Sequence, residues 1–182
     1  MEKPSTRDRI LISALALLES GGIKAMTQLA VAKAAGIPQG QLTYHFPKRS
    51  DLVLEVTEFS LNKIADEIFR YSSASRKTKI PEMVWDLVHN QERVRALLGI
   101  ITEGDDSAEV RARLVERQER VHALIAAALG RGPTDDKITM IHATLIGFGV
   151  LSFLQPENTR SLKKDFLGAF KYFEKAVEKE KR

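Results

Sequence analysis

The chain is expected to fold as an all-α protein of about nine helices, and three observations lead there. Apolar residues recur at helical spacing along most of its 182 positions. The runs are punctuated by Ser, Thr and Asp before them and Gly or Pro after them, the usual signals for helix starts and stops. With 43% apolar residues, a chain of this length can bury a substantial core in one or two domains.

From the start, Ser5 or Thr6 can cap a first helix, with Asp8 in its first turn facing the positive end of the helix dipole. Ile10, Leu11, Ala14, Leu15, Leu17 and Leu18 form its stripe, and Gly21-Gly22 stops it. Thr27 is the next N-cap, with Leu29, Ala30, Val31 and Ala34 expected on the buried side of a short helix. Gly36 closes that helix in the left-handed conformation, and Ile37 plugs the angle that follows. Pro38 suits the first turn of a second short helix, which keeps only Leu42 and Phe46 for the core. Ala32, Gly36 and Leu42 are spaced as two steeply crossing helices require.

After Pro47 a long helix is expected from about Lys48 to Tyr71, burying Leu52, Val56, Phe59, Ile64 and Ile68, before a polar connector at 72–79. Pro81 opens a helix through Trp85 to about His89, and VRALLGIITEG forms another, ending at Gly104. Asp105-Asp106-Ser107 then caps a longer helix with Val110, Leu114, Val121, Leu124, Ile125 and Leu129 inside; it stops at 130–133. Its outer face, with Arg111, Arg113, Glu116, Arg117, Glu119 and Arg120, is expected to be solvated.

The segment 134–155 is the most apolar and is expected to be buried nearly all round, with Gly147 and Gly149 letting another helix approach. His142, Thr144 and Ser152 interrupt it, and its apolar part is shorter than the roughly 20 residues of a membrane span, so no membrane role is expected. Beyond Pro156 a last helix, about 160–178, carries Leu162, Phe166, Ala169, Phe170, Phe173 and Val177.

The net charge of +4 says less than its distribution. Residues 1–51 hold seven Lys or Arg against four Asp or Glu, residues 52–159 hold 13 against 16, and residues 160–182 hold eight against four. The basic start fits a polyanionic partner; the basic end reads as a solvated helix terminus. The chain has no cysteine, which excludes disulfides and thiolate metal sites. The charged start MEKPSTRDR lacks the apolar stretch of a signal peptide, so a cytoplasmic protein is expected.

Catalytic signals are absent: there is no G-x-S-x-G, P-loop or G-x-G-x-x-G, and His45, His89, His122 and His142 show no metal-ligand spacing. An enzyme, a metal site and a cofactor are therefore not expected. The second short helix is more informative. Gln39, Gln41, Thr43, Tyr44 and His45 are neutral hydrogen-bonding groups, suited to base edges: Gln pairs with adenine and Thr meets a thymine methyl in the major groove. Tyr44 and His45 can also reach phosphates.

Residues 27–52 resemble the DNA-binding domain of the TetR family of transcriptional regulators through Thr27, Ala35-Gly36-Ile37, His45-Phe46, Lys48-Arg49 and Asp51-Leu52, without gaps. One departure is Thr43 where family members commonly have a tyrosine; Tyr44 comes one position later. The resemblance implies phosphate contacts from Thr27, Tyr44 and Lys48 or Arg49, and base contacts from Gln39, Gln41 and Thr43. It implies a DNA-binding domain at 1–47, with its helix-turn-helix at about 27–46, and a helical ligand-binding and dimerisation domain at 48–182.

The expected function is that of a repressor released from a palindromic double-stranded operator by a small apolar or amphipathic effector. The last two helices, about 134–155 and 160–178, would pair with those of a second copy as a homodimer. Phe59, Phe69, Met83, Trp85, His89, Met140, His142 and Phe148 combine aromatic, sulfur and imidazole groups, the mixture that lines an effector pocket. Two other readings stand beside it: a ligand-independent architectural or cell-cycle DNA-binding protein of the same fold, and a helical interaction protein that does not bind DNA. Operator sequence, effector, regulated genes and the sign of regulation are not written in these residues.

Overall fold

The computed structural model describes residues 4–73, 80–106, 108–129, 132 and 135–179, with backbone alone at 69–73, 80, 103–106, 128–129 and 174–179. Among these residues there are nine α-helices and one short 3-10 turn at Pro156–Asn158: α1 (Thr6–Gly21), α2 (Gln28–Ala35), α3 (Gln39–His45), α4 (Arg49–Ser73), α5 (Ile80–Val88), α6 (Gln91–Asp106), α7 (Ala108–Leu129), α8 (Asp136–Leu154) and α9 (Thr159–Lys179). The expected connector at 74–79, the cap at Ser107, residues 130, 131 and 133 of the stop, and Thr134 lie outside the described residues.

The chain divides into two compact units: residues 1–63 with 95–117, and residues 64–94 with 118–182. In the first, α1 begins with a capping box in which Ser5 and Asp8 satisfy each other's backbone N–H. Ile10, Leu11, Ala14, Leu15 and Leu18 are buried in one cluster with Val31, Ala32 and Ala35 of α2, Leu42 of α3, and Leu52, Val53 and Val56 of α4. Ala96, Ile100 and Val110 complete it from α6 and α7. The buried side of α2 is thus Val31, Ala32 and Ala35. Leu29, expected inside, is 65% exposed, and Ala34 is also exposed. Eight residues are little more than two turns, too short a run for apolar spacing to fix the phase of the helix.

In the second unit α5, α8 and α9 pack together. The backbone carbonyl of Val88 would lie 2.8 Å from a Cβ on Gly149, so close approach at Gly149 is real; a Cβ on Gly147 would meet nothing within 4 Å. The Ser152 carbonyl accepts from Gln91 Nε2 at 2.9 Å, and Arg93 Nη2 holds both carboxylate oxygens of Glu67 at 2.7 and 2.9 Å. At 19 residues and a mean hydropathy of 1.6, α8 is long and apolar enough to cross a membrane, which corrects the length argument above. Its tight packing on the α5–α6 corner marks it instead as a domain helix. It is not buried all round: Ile138, Ile141, Gly149 and Ser152 are inside, while Met140, Ile146, Leu151 and Leu154 are exposed. Helix α6 also runs two residues past Gly104, taking in Asp105 and Asp106 as its end.

Candidate nucleic-acid interface

The turn between α2 and α3 is built by local chemistry. Thr27 Oγ1 accepts the Ala30 N–H at 3.2 Å, which starts α2. Gly36 (φ 65°, ψ 41°) ends it, with the Gly36 N–H donating to Lys33 and the Ile37 N–H to Ala32, the paired bonds of a Schellman cap. Pro38, extended at φ −60° and ψ 145°, stands at the N-cap of α3 and accepts the N–H groups of Gln41 and Leu42 through its carbonyl.

Long-range bonds lock this turn in place. Arg9 Nη2 donates to the carbonyls of Ala35 at 2.9 Å and Gly36 at 3.4 Å, a cation at the negative end of α2. Gln28 Nε2 donates to the Phe46 carbonyl at 3.1 Å, tying the start of α2 to the end of α3. Arg7 lies 5.7 Å from the Phe46 ring centroid and pairs with Glu55 at 2.6 Å. None of these residues stands out in the sequence, because each bond spans 18 positions or more and leaves no local pattern.

Against that support, α3 turns Leu42 and Phe46 fully inward, at 0% and 2% exposure, and leaves Gln39, Gln41, Thr43 and Tyr44 open to solvent, Tyr44 at 83%. Thr43 Oγ1 donates to the Gln39 carbonyl at 3.1 Å, so Thr43 has its methyl and an acceptor oxygen left to offer. Thr27, exposed, still has its hydroxyl proton to donate. His45 is half-buried between Tyr44 and Phe46, at ring separations of 5.5 and 6.5 Å. Lys48 is exposed and its N–H donates to Asp51 at 2.9 Å, whereas Arg49 donates through Nη2 to the Ile23 carbonyl at 3.2 Å. Six predicted contacts are therefore exposed together on α3 and the two flanking caps: Thr27, Gln39, Gln41, Thr43, Tyr44 and Lys48.

Residues 10–56 match the family model described as bacterial regulatory proteins, tetR family. The matched stretch, residues 10–56, is of the TetR-family type. A curated relative, the HTH-type transcriptional regulator AcrR of Shigella flexneri, is 31% identical over 106 residues, covering 55% of this chain and 49% of AcrR. The chain thus spans about half the length of the curated relative it matches. In fold, it is similar to a TetR transcriptional regulator from Legionella pneumophila (TM-score 0.71, 20% identity, covering 93% of this chain and 99% of that one). It is also similar to the multidrug binding protein EbrR in complex with proflavin (TM-score 0.58, 22% identity, 90% and 98%).

The residues expected to line an effector pocket are not all gathered in one place. Phe59 packs on the core of the first unit; Met83, Trp85, His89, Met140, His142 and Phe148 belong to the second; the side chain of Phe69 lies outside the described residues. Trp85 stacks on His89 at 4.9 Å and meets Phe166 at 5.4 Å, and Phe148 meets Phe166 edge-on at 5.4 Å. Phe166 is the hub of this aromatic cluster, and the sequence places it only on a core stripe. His89 Nδ1 donates to the Trp85 carbonyl at 2.9 Å, and a hydrogen bond joins His122 Nε2 to His142 Nδ1 at 3.1 Å, so one ring nitrogen of each imidazole is engaged within the fold. Among the described residues no group of three or more metal-ligating side chains comes together. Met140 points outward at 59% exposure. A pocket lined by Ile141, Thr144, Leu145, Phe166, Ala169, Phe170 and Phe173 has a cavity volume of about 20 Å³, room for a water rather than an effector.

Proposed function

We propose that this chain is a transcriptional repressor that binds a pseudo-palindromic DNA operator as a homodimer and releases it when a small molecule enters its body. The observation that carries this reading is the division of α3, with its two apolar residues sealed and its neutral polar residues presented side by side. Gln39, Gln41 and Thr43 read base edges in the major groove; Thr27, Tyr44 and Lys48 hold phosphates, and His45 supports Tyr44. Arg49, occupied by the Ile23 carbonyl, serves the fold before it serves DNA. One short helix reads few bases, so a two-fold pair doubles the site.

The second copy is expected on α8 and α9. Met140, Ile146, Leu151, Leu154 and Tyr172 are large apolar or aromatic residues left exposed on those helices, and a paired copy would cover them. In this reading residues 1–47 bind DNA and residues 48–182 sense and dimerise, in a cytoplasmic protein without cofactor or enzymatic activity. EbrR binds proflavin in its complex; by likeness, a small apolar or amphipathic molecule is the effector here. Helices α4, α6 and α7 each contribute residues to both compact units, so a change in the body reaches the head along continuous backbone. Release requires the effector to favour the non-binding conformer by a coupling of about 1–3 kcal/mol.

Selecting bound duplexes from a random pool, then titrating the selected site, tests the reading. Gln41→Ala is expected to cost about 1–3 kcal/mol and relax one base position. Lys48→Ala is expected to weaken all duplexes alike and to lower the salt slope by about 0.9. If Gln41→Ala, Tyr44→Ala and Lys48→Ala all bind as the parent does, α3 is not a reading head.

A further inference from the structure

Two histidines meet inside the second unit. His122 on α7 and His142 on α8 both belong to residues 118–182, and His122 Nε2 lies 3.1 Å from His142 Nδ1. The rings stand at 88° to each other with centroids 5.0 Å apart, so they meet through their edges rather than stack. Both residues are half-buried, within reach of solvent. Spacing rules look along one helix and miss such a pair, because its members are 20 positions apart on different helices.

A hydrogen bond across this contact needs one donor and one acceptor, which amides or hydroxyls supply as well. What two imidazoles add is a pair of nitrogen lone pairs at a set separation. A transition-metal ion holds imidazole nitrogen at about 2.0–2.1 Å, so two adjacent ligands stand about 2.8–3.4 Å apart, from right-angled to tetrahedral geometry. The observed 3.1 Å falls inside that window. We propose that His122 and His142 form a two-histidine site for a divalent late transition-metal ion, Zn2+, Ni2+ or Cu2+, held between α7 and α8. Imidazole suits these ions, whereas Mg2+ and Ca2+ take oxygen ligands. The hydrogen bond of the metal-free protein keeps both nitrogens at ligand spacing before an ion arrives. On loading, the ring protons sit on the far nitrogens, Nδ1 of His122 and Nε2 of His142, and the near nitrogens give their lone pairs to the metal. Among the described residues no group of three or more His, Cys, Asp or Glu is gathered, so water completes the coordination and the site stays open to exchange. The proposal goes beyond the reading of a DNA-binding head and does not depend on it.

The test uses the full chain without DNA and without a histidine tag, stripped of metal by a chelator that is then removed. Zn2+, Ni2+ and Cu2+ are compared with Mg2+ by thermal unfolding and calorimetric titration. The three transition metals are expected to bind at one ion per chain. At about a hundred times the dissociation constant they should raise the melting temperature by about 5–10 °C, and Mg2+ should not. His122→Gln and His142→Gln keep an amide able to bridge the two helices and remove one ligand each. Both are expected to bind the ions about tenfold more weakly or worse, the loss of one of two linked donors. Independently of any variant, electron paramagnetic resonance of Cu2+ on the parent should show coupling to two imidazole nitrogens. Mg2+ acting as the transition metals do, parent-like ion binding in either variant, or Cu2+ coupled to fewer than two ring nitrogens would each overturn the proposal. Because no duplex is present, such a failure leaves the reading of α3 untouched.

Discussion

Gln28 donates its side-chain amide to the carbonyl oxygen of Phe46 across 18 positions of sequence, closing the two ends of the helix-turn-helix on each other at 3.1 Å. Phe46 ends α3, so this bond sets how the exposed row from Gln39 to Tyr44 is presented. Gln28→Ala should cost about 0.5–1.5 kcal/mol in urea unfolding, the net worth of one such bond. It should also weaken duplex binding across all sequences, although Gln28 is not proposed to touch a base. A variant that loses stability and keeps full affinity would show that α3 is held by its core residues alone.

Gly40 poses the opposite case. It lies exposed in α3, its φ is not in the left-handed region, and an added Cβ meets nothing within 4 Å. Glycine in a helix is less favourable than alanine by up to about 1 kcal/mol, so nothing inside the chain favours it. A surface that comes close to the backbone does. Gly40→Ala should therefore hold or raise thermal stability while weakening duplex binding by about tenfold, as a methyl forced into a close contact would. Stability and affinity moving in opposite directions distinguish a contact residue from a fold residue.

How much of this was legible depended on range. The caps at Ser5, Thr27 and Gly36 were readable because cap and partner lie within a turn. Leu42 and Phe46 were readable as core because their neighbours are so polar. Arg9 on Ala35, Gln91 on Ser152 and Arg95 on Ser20 lie 26, 61 and 75 positions apart, and no spacing rule reaches that far. Arg117, expected on a solvated face, is half-buried with its Nε sealed, because its interval from Val110 and Leu114 turns it partly toward the core. Apolar residues all round α8 call for cover without saying whether this chain or another surface provides it, and Met140, Ile146, Leu151 and Leu154 are exposed in this chain.

The sequence expects both glycines of α8 to admit another helix, and the structure separates them. A Cβ on Gly149 would stand 2.8 Å from the Val88 carbonyl oxygen and 3.4 Å from Val94 Cγ2. The nearer atom is backbone and cannot rotate away. Gly149→Ala should destabilise by about 1–3 kcal/mol in chemical unfolding, the usual range for overpacking. Gly147→Ala meets no such atom and should be neutral or stabilising by up to about 1 kcal/mol. Equal losses from both would mean that the α5–α8 contact is not where the structure puts it.

The capping box of α1 gives a pH dependence whose sign is fixed by geometry. Ser5 donates to the Asp8 carboxylate through its hydroxyl at 2.7 Å and its backbone N–H at 3.1 Å. Those two bonds, the hydroxyl first, hold the Asp8 pKa below its usual value, and Arg7 assists. A carboxyl with a lower pKa folded than unfolded adds stability above the unfolded value, near 3.8, and loses it as pH falls through the folded value. Asp8→Asn does not titrate and keeps the helix start. Urea unfolding from neutral to strongly acidic pH should therefore show the parent more stable than Asp8→Asn by a constant margin at neutral pH. That margin should shrink only in the acidic window below the usual carboxylate range. A margin unchanged down to the lowest pH would mean that the Ser5–Asp8 bonds do not distinguish the charged carboxylate from the neutral one.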